Sequence, residues 1–251
     1  MKSTLLGITI AACLAIPAQA DWFPGEPHKM HYPQMPDPNG WDINVRDYTI
    51  ADDWQCSQTG TVSDVHFWLS WDNDAGDPNM ITGITVSIHS NIPEGPQGWS
   101  VPDELLWIRT FMPGQFNFLP YGIGPQGFIR EPGFPPPGTP PVFDPPPDHN
   151  NYWQINIQDI VAPFVQQQNE IYWLDLRVQT VAGSTVGWKT SIDHFMDDAV
   201  WFDALSNQWI EIRDPLTLES LDMAFVIVPE PSPALFGLVG IVLLLFRRRD
   251  R

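Results

Sequence analysis

The central part of this 251-residue chain predicts an all-β fold, an antiparallel β-sandwich of jelly-roll-like character. Three observations predict it. Short runs rich in β-branched and aromatic residues recur, several with apolar side chains at every second position. Gly, Pro, Asn and Asp punctuate them at close intervals. No stretch between residues 21 and 228 keeps a long 3.6-residue apolar period.

Taken in order, the expected strands begin with RDYTI (46–50) and TVSDVHFWLSW (61–71), the second placing Val65, Phe67, Leu69 and Trp71 on one face. ITGITVSIHS (81–90) aligns Ile84, Val86 and Ile88 in the same way. ELLWIRTF (104–111), YWQINI (152–157), EIYWLDLRV (170–178) and STVGWKTS (184–191) follow, then DAVWFD (198–203), QWIEIR (208–213) and LDMAFVIV (221–228). The one helical candidate, IQDIVAPFVQQQ (157–168), contains Pro163, which restricts it to short pieces. Residues 131–147 hold nine prolines in seventeen positions, a composition that favours polyproline II and excludes a central strand. This segment predicts a long loop within one domain, with an interdomain linker or a Pro-rich binding segment as alternatives.

The two ends differ from the middle. Lys2, the apolar stretch Leu5–Ile16 and Ala18-Gln19-Ala20 read as a secretory signal peptide over 1–20, removed by signal peptidase before Asp21. Ile10-Ala11-Ala12-Cys13 offers a lipoprotein box as the alternative. The chain closes with VPEPSPALFGLVGIVLLLFRRRDR (228–251). Its 13 apolar residues, 234–246, reach only ~20 Å as a helix, against ~30 Å for a bilayer core. A short membrane helix held by Arg247, Arg248 and Arg249, read and processed by another protein, fits that length better than a permanent span.

Residues 21–228 contain 7 basic and 28 acidic residues, a formal charge of −21. Such a surface repels phosphate backbones, so nucleic acid is excluded as the expected partner. It attracts cations, and 21 of the 28 acids are Asp, the residue of turns and hard-metal loops. Cys56 is the only cysteine of this segment, so it holds no internal disulfide, and twelve Trp supply core area instead.

Few motifs carry chemistry. GIGPQG (122–127) matches a dinucleotide-binding fingerprint in letters, but Pro125 and the proline-rich stretch behind it forbid the required helix, so a loop is expected. DNDAGDPN (72–79) offers Asp72, Asp74 and Asp77 around Gly76, a candidate calcium site set against ordinary turn chemistry. His28 and His31, with His66 or His194, give a zinc alternative to exposed arm histidines. Asp197 and Asp198 are neighbours, and neighbours on a strand face opposite ways, so they are no catalytic couple by themselves. There is no G-x-S-x-G nucleophile turn. Trp22, Trp41 and Trp99 lie in loop-like surroundings and are the candidates for stacking on sugars.

The C-terminal pattern resembles the PEP-CTERM sorting signal, carried by Pro229, Glu230 and Pro231, the apolar run and the arginines. The resemblance implies recognition by an exosortase in the inner membrane, with delivery to the cell surface or exopolysaccharide layer. Glu230 and its prolines would then be substrate residues. The preceding region resembles an uncharacterised bacterial extracellular β-sandwich domain through HKMHYPQMPDPNGWD, ADDWQC, DVHFWLSW, GWKTSIDHFMDDAVW and LDMAFVI. That resemblance implies fold and surface location, and transfers no functional residue. The expectation is an exported, non-catalytic protein of the envelope or polysaccharide matrix, carbohydrate-binding in the sharper version, with no cofactor other than calcium. The alternative is a secreted glycoside hydrolase or polysaccharide lyase.

Overall fold

The computed structural model describes residues 22–96, 98–133 and 142–228. The signal peptide, the sorting segment with its apolar run, and residues 134–141 of the Pro-rich stretch lie outside the described residues. No helix among the described residues is long and apolar enough to cross a membrane.

Among the described residues, fourteen strands make the fold. They are β1 (Trp41–Asn44), β2 (Ile50–Gln55), β3 (Gly60–Thr61), β4 (Asp64–Trp71), β5 (Ile81–Ile92), β6 (Val101–Phe111) and β7 (Asn117–Ile129). Then come β8 (Phe143–Ile157), β9 (Val165–Gln166), β10 (Ile171–Thr180), β11 (Val186–Lys189), β12 (Val200–Asp203), β13 (Gln208–Glu211) and β14 (Phe225–Val228). One six-stranded sheet runs β11-β1-β7-β8-β4-β14, and β11 also pairs with β4, so that the sheet curls back on itself. The second runs β13-β12-β2-β10-β5-β6, and β3 with β9 forms a small ribbon. The described residues are all-β, with one correction to a purely antiparallel reading: β1 and β7 run parallel, Asp42 opposite Phe128.

The alternating faces form the core. Val65, Phe67, Leu69 and Trp71 of β4 share one buried cluster with Ile84, Val86 and Ile88 of β5 and Leu174, Leu176 and Val178 of β10. Trp54, Trp68, Trp71, Trp173 and Trp188 are fully buried. Each such indole removes ~150–250 Å² from water, about 4–6 kcal/mol as an upper bound before ordering entropy. Burial on that scale opposes the self-repulsion of a strongly acidic surface.

Three expectations are corrected. The stretch 157–168 is not helical: Asp159 and Ala162 have φ of 52° and 53°, and β9 follows. GIGPQG is no loop but the middle of β7. Its ladder to β8 shifts register at Pro120/Gly122, Ile123/Gln126 and Gln126/Phe128, so the prolines cost no regular pairing. The end of the Pro-rich stretch also enters a strand, since β8 starts at Phe143. Pro145, Pro146 and Pro147 fall where pairing jumps from His149 to Asp144, and β4 covers β8 only from Tyr152 onward. Proline thus sits at a bulge on an overhang, the place where a missing N–H is tolerated.

Candidate functional site

On the second sheet, the face turned away from the main core carries a small apolar cluster of Ala51, Trp173 and Val200. Trp99, from the β5–β6 connection, and Trp209, from β13, pack on it half-buried. Between them opens a groove of about 440 Å³ lined by Ile92, Trp99, Val101, Pro102, Asn207, Gln208 and Trp209. Its back is held by polar contacts. Trp173 Nε1 donates to Asn91 Oδ1 at 2.8 Å, and His89 Nε2 meets Asp175 Oδ2 at 2.7 Å beside the Trp209 ring. Burial disfavours a charged His89, but the Asp175 hydrogen bond and charge outweigh it and raise the imidazole above its ordinary value.

Next to this groove lies a cluster of buried acids that no local spacing announced. Asp52, Asp53 and Asp222 are essentially inaccessible. Asp52 Oδ2 accepts from Gln34 Nε2 at 3.0 Å and from the Met223 N–H at 2.6 Å. Asp222 Oδ2 accepts from the Phe195 N–H at 2.5 Å. Burial, then the charge of Asp222, pushes Asp52 and Asp53 well above the usual carboxylate range. Burial likewise raises Asp222 to about 8, with Asp198 and Asp197 adding repulsion. Asp198 reaches about 6, chiefly by burial, although Arg213 approaches it at 3.2 Å. His31 is stacked on Phe195 at 3.5 Å, and burial, with His28 second, lowers it to about 3. Carboxyls that keep a proton near neutrality can donate hydrogen bonds or act as general acids.

The residues flagged from sequence disperse. Trp99 lines the groove, whereas Trp22 and Trp41 are buried; Trp41 Nε1 donates to Asp214 at 2.7 Å. His28 Nδ1 donates to the Met30 carbonyl and His31 Nδ1 accepts from the Gln55 N–H, so the pair does not converge on a zinc site. Asp197 binds Ser100, while Asp198 contacts Ser220 and Arg213, consistent with their divergent directions. Asp72 pairs with Arg130, Asp74 caps Asn150 and Asn151, and Asp77 caps Asn79. Asp72 instead joins Asp144 and Asp148 in a group of three carboxylates whose oxygens lie within 4.8 Å of one another. Arg130 bridges the first two, and its guanidinium already supplies the cation there.

With this geometry in view, the family model described as a domain of unknown function (DUF7901) matches residues 30–228, most of the chain. The chain belongs to the DUF7901 family. No curated protein and no solved structure matches it. The DUF7901 region takes in both the groove and the acid cluster. It also brings together, around Asp52 and Asp222, four of the sequence stretches quoted above. His31 and Gln34 come from the first, Asp52 and Asp53 from ADDWQC, Phe195 and Asp197 from the fourth, and Asp222 from the last.

Proposed function

We propose that this DUF7901 domain is a non-catalytic, exported carbohydrate-binding module that holds neutral polysaccharide at the cell surface. The observation that carries the reading is the groove between Trp99 and Trp209, two half-buried indoles with Asn207 and Gln208 at its rim. The apolar face of a pyranose stacks on an indole, while side-chain amides pair with its hydroxyls. The charge of −21 over residues 21–228 argues for a neutral glycan over a polyanionic one. Residues 1–20 and 229–251 fit the reading as export and sorting segments, used by signal peptidase and exosortase, with membrane attachment through the apolar run until sorting.

The test is titration of the full chain with neutral and uronic-acid polysaccharides, followed by tryptophan fluorescence. Trp99→Ala and Trp209→Ala should each weaken the neutral interaction about tenfold, equivalent to about 1.4 kcal/mol. Trp107→Ala, whose indole donates to the Ala162 carbonyl away from the groove, should not. Equal binding by all three variants sinks the proposal.

A second reading, a glycoside hydrolase or lyase, is favoured by Asp198 at about 6 and Asp222 at about 8 in the adjoining cluster. Release of reducing ends or unsaturated uronate that disappears in both Asp198→Asn and Asp222→Asn would replace the first reading with this one.

A further inference from the structure

The curled sheet encloses a charged pair that the groove does not use. Asp42 of β1 and Lys189 of β11 are direct cross-strand partners. Lys189 Nζ lies 3.1 Å from Asp42 Oδ2, and neither side chain is accessible to solvent. The Lys189 ammonium sits 5.5 Å from the centre of the Tyr152 ring. His149 Nε2 reaches the same Asp42 oxygen at 2.9 Å, and its Nδ1 meets Asp148 Oδ2 at 3.0 Å. The His149 ring packs edge-on to Phe128. The Ser70 hydroxyl also lies close enough to the Asp42 carboxylate to favour its charge.

Burying an ion pair this completely costs several kcal/mol per ion. An amide in the same place carries no charge to desolvate. The amine and the carboxyl are in contact, enclosed by aromatic rings, with an acid at hydrogen-bond distance from the oxygen that would depart.

We propose that Lys189 and Asp42 are joined by an isopeptide bond that the folded chain forms by itself. The Nζ lone pair attacks Asp42 Cγ, forming one C–N bond. His149 Nε2–H protonates Oδ2, the Cγ–Oδ2 bond breaks, and water leaves. The amine nitrogen gives up one of its two protons, which joins the one from His149 on the departing oxygen to make water; the other stays on the amide nitrogen, and His149 is left as the neutral imidazole. No electrons are exchanged with an oxidant or reductant, and no co-reactant is consumed. Burial lowers the Lys189 amine despite Asp42, which favours its nucleophilic form. Asp42 is opposed by burial but held ionised by Lys189 and His149, so its activation falls to His149. Burial disfavours the cationic form of that imidazole, but the Asp42 hydrogen bond outweighs it and raises the group above its ordinary value, which favours the protonated form this step uses. The product would lock β1 to β11, the strand that closes the sheet onto β4. In a segment whose only cysteine is Cys56, it would supply a cross-link that no reductant opens.

The experiment is tryptic peptide mapping of the purified, reduced full chain. The expected product joins peptide 30–46 to peptide 178–213, lighter than their sum by one water and uncleaved after Lys189, since trypsin requires a free lysine amine. Asp42→Ala should release both peptides and restore cleavage after Lys189. His149→Ala should leave most chains unlinked while Asp42 and Lys189 stay in place. Separate peptides 30–46 and 178–189 as the main products of the folded wild-type chain would overturn the proposal, whatever the variants do.

Discussion

Ser100 donates twice to a single oxygen of Asp197, from its backbone N–H at 3.1 Å and from its hydroxyl at 2.6 Å. The contact ties the loop that positions Trp99 to the segment that carries Asp198 and approaches Asp222. Groove and acid cluster are therefore joined by a direct contact. Asp197→Ala removes both charge-assisted bonds and should lower stability by about 1–3 kcal/mol. It should also weaken polysaccharide binding several-fold with both groove indoles intact. A change in unfolding without a change in binding would separate the two features.

Asp222 makes the domain sensitive to alkali. Its folded value of about 8, raised mainly by burial, exceeds the ordinary unfolded value of about 3.9. Between those limits the folded state keeps a proton that the unfolded state has lost. Stability from this group is thus fully present below about pH 4 and falls as pH rises through about 8. Asp52 and Asp53 act in the same direction. The melting temperature of wild-type protein should drop between pH 5 and pH 8, and Asp222→Asn should flatten part of that slope. An identical slope in the variant would show that Asp222 ionises freely.

The sheets were legible where one face of a strand is apolar and the other is not. Ile84, Val86 and Ile88 announce β5, and all three lie in the core. β7 was hidden because Pro120, Pro125 and three glycines fall within it, and only the bulged pairing with β8 reveals why they fit. β1 was hidden by brevity, four residues with Asp42 and Asn44 among them. The acid cluster could not be read locally, since Asp52 and Asp222 meet only through folding, and isolated Asp reads as turn chemistry. Spacing instead drew attention to Asp72, Asp74 and Asp77, whose partners separate them. Trp99 was legible as a loop tryptophan; its partner Trp209 looked like core because it sits in a strand.

Gly124 gives a test of the strand reading of GIGPQG. A Cβ there would lie 1.9 Å from the Pro38 carbonyl oxygen, a backbone atom with little room to move. Gly124→Ala should therefore destabilise the domain by about 1–3 kcal/mol through overpacking, measured by denaturant unfolding. Gly114, at φ 89° with open space around its Cβ position, offers a contrast. Its Ala variant should lose stability through backbone strain alone. Nucleotide addition should shift neither variant, because the motif runs on as strand to Ile129 instead of opening a helix that could receive a phosphate.

The last prediction concerns calcium and the loop at 72–79. Asp74 accepts from the N–H groups of Asn150 and Asn151 and from Asn151 Nδ2, each at 3.0 Å. Burial opposes its charge, but these bonds prevail and hold the carboxyl below its ordinary value. Its contribution is therefore present above the unfolded value and is lost as pH falls through the lower folded one. Asp74→Ala should cost about 1–3 kcal/mol near neutrality, since it frees β8 from the turn. A calcium ion at 100 times its dissociation constant would add ~2.7 kcal/mol, a melting shift of roughly 5–10 °C for a domain of this size. With Arg130 already between Asp72 and Asp144, calcium should produce no shift beyond that of a salt control at equal ionic strength. A calcium-specific shift that vanishes in Asp72→Asn would mean the ion displaces the guanidinium, and the loop would then be a metal site rather than a turn.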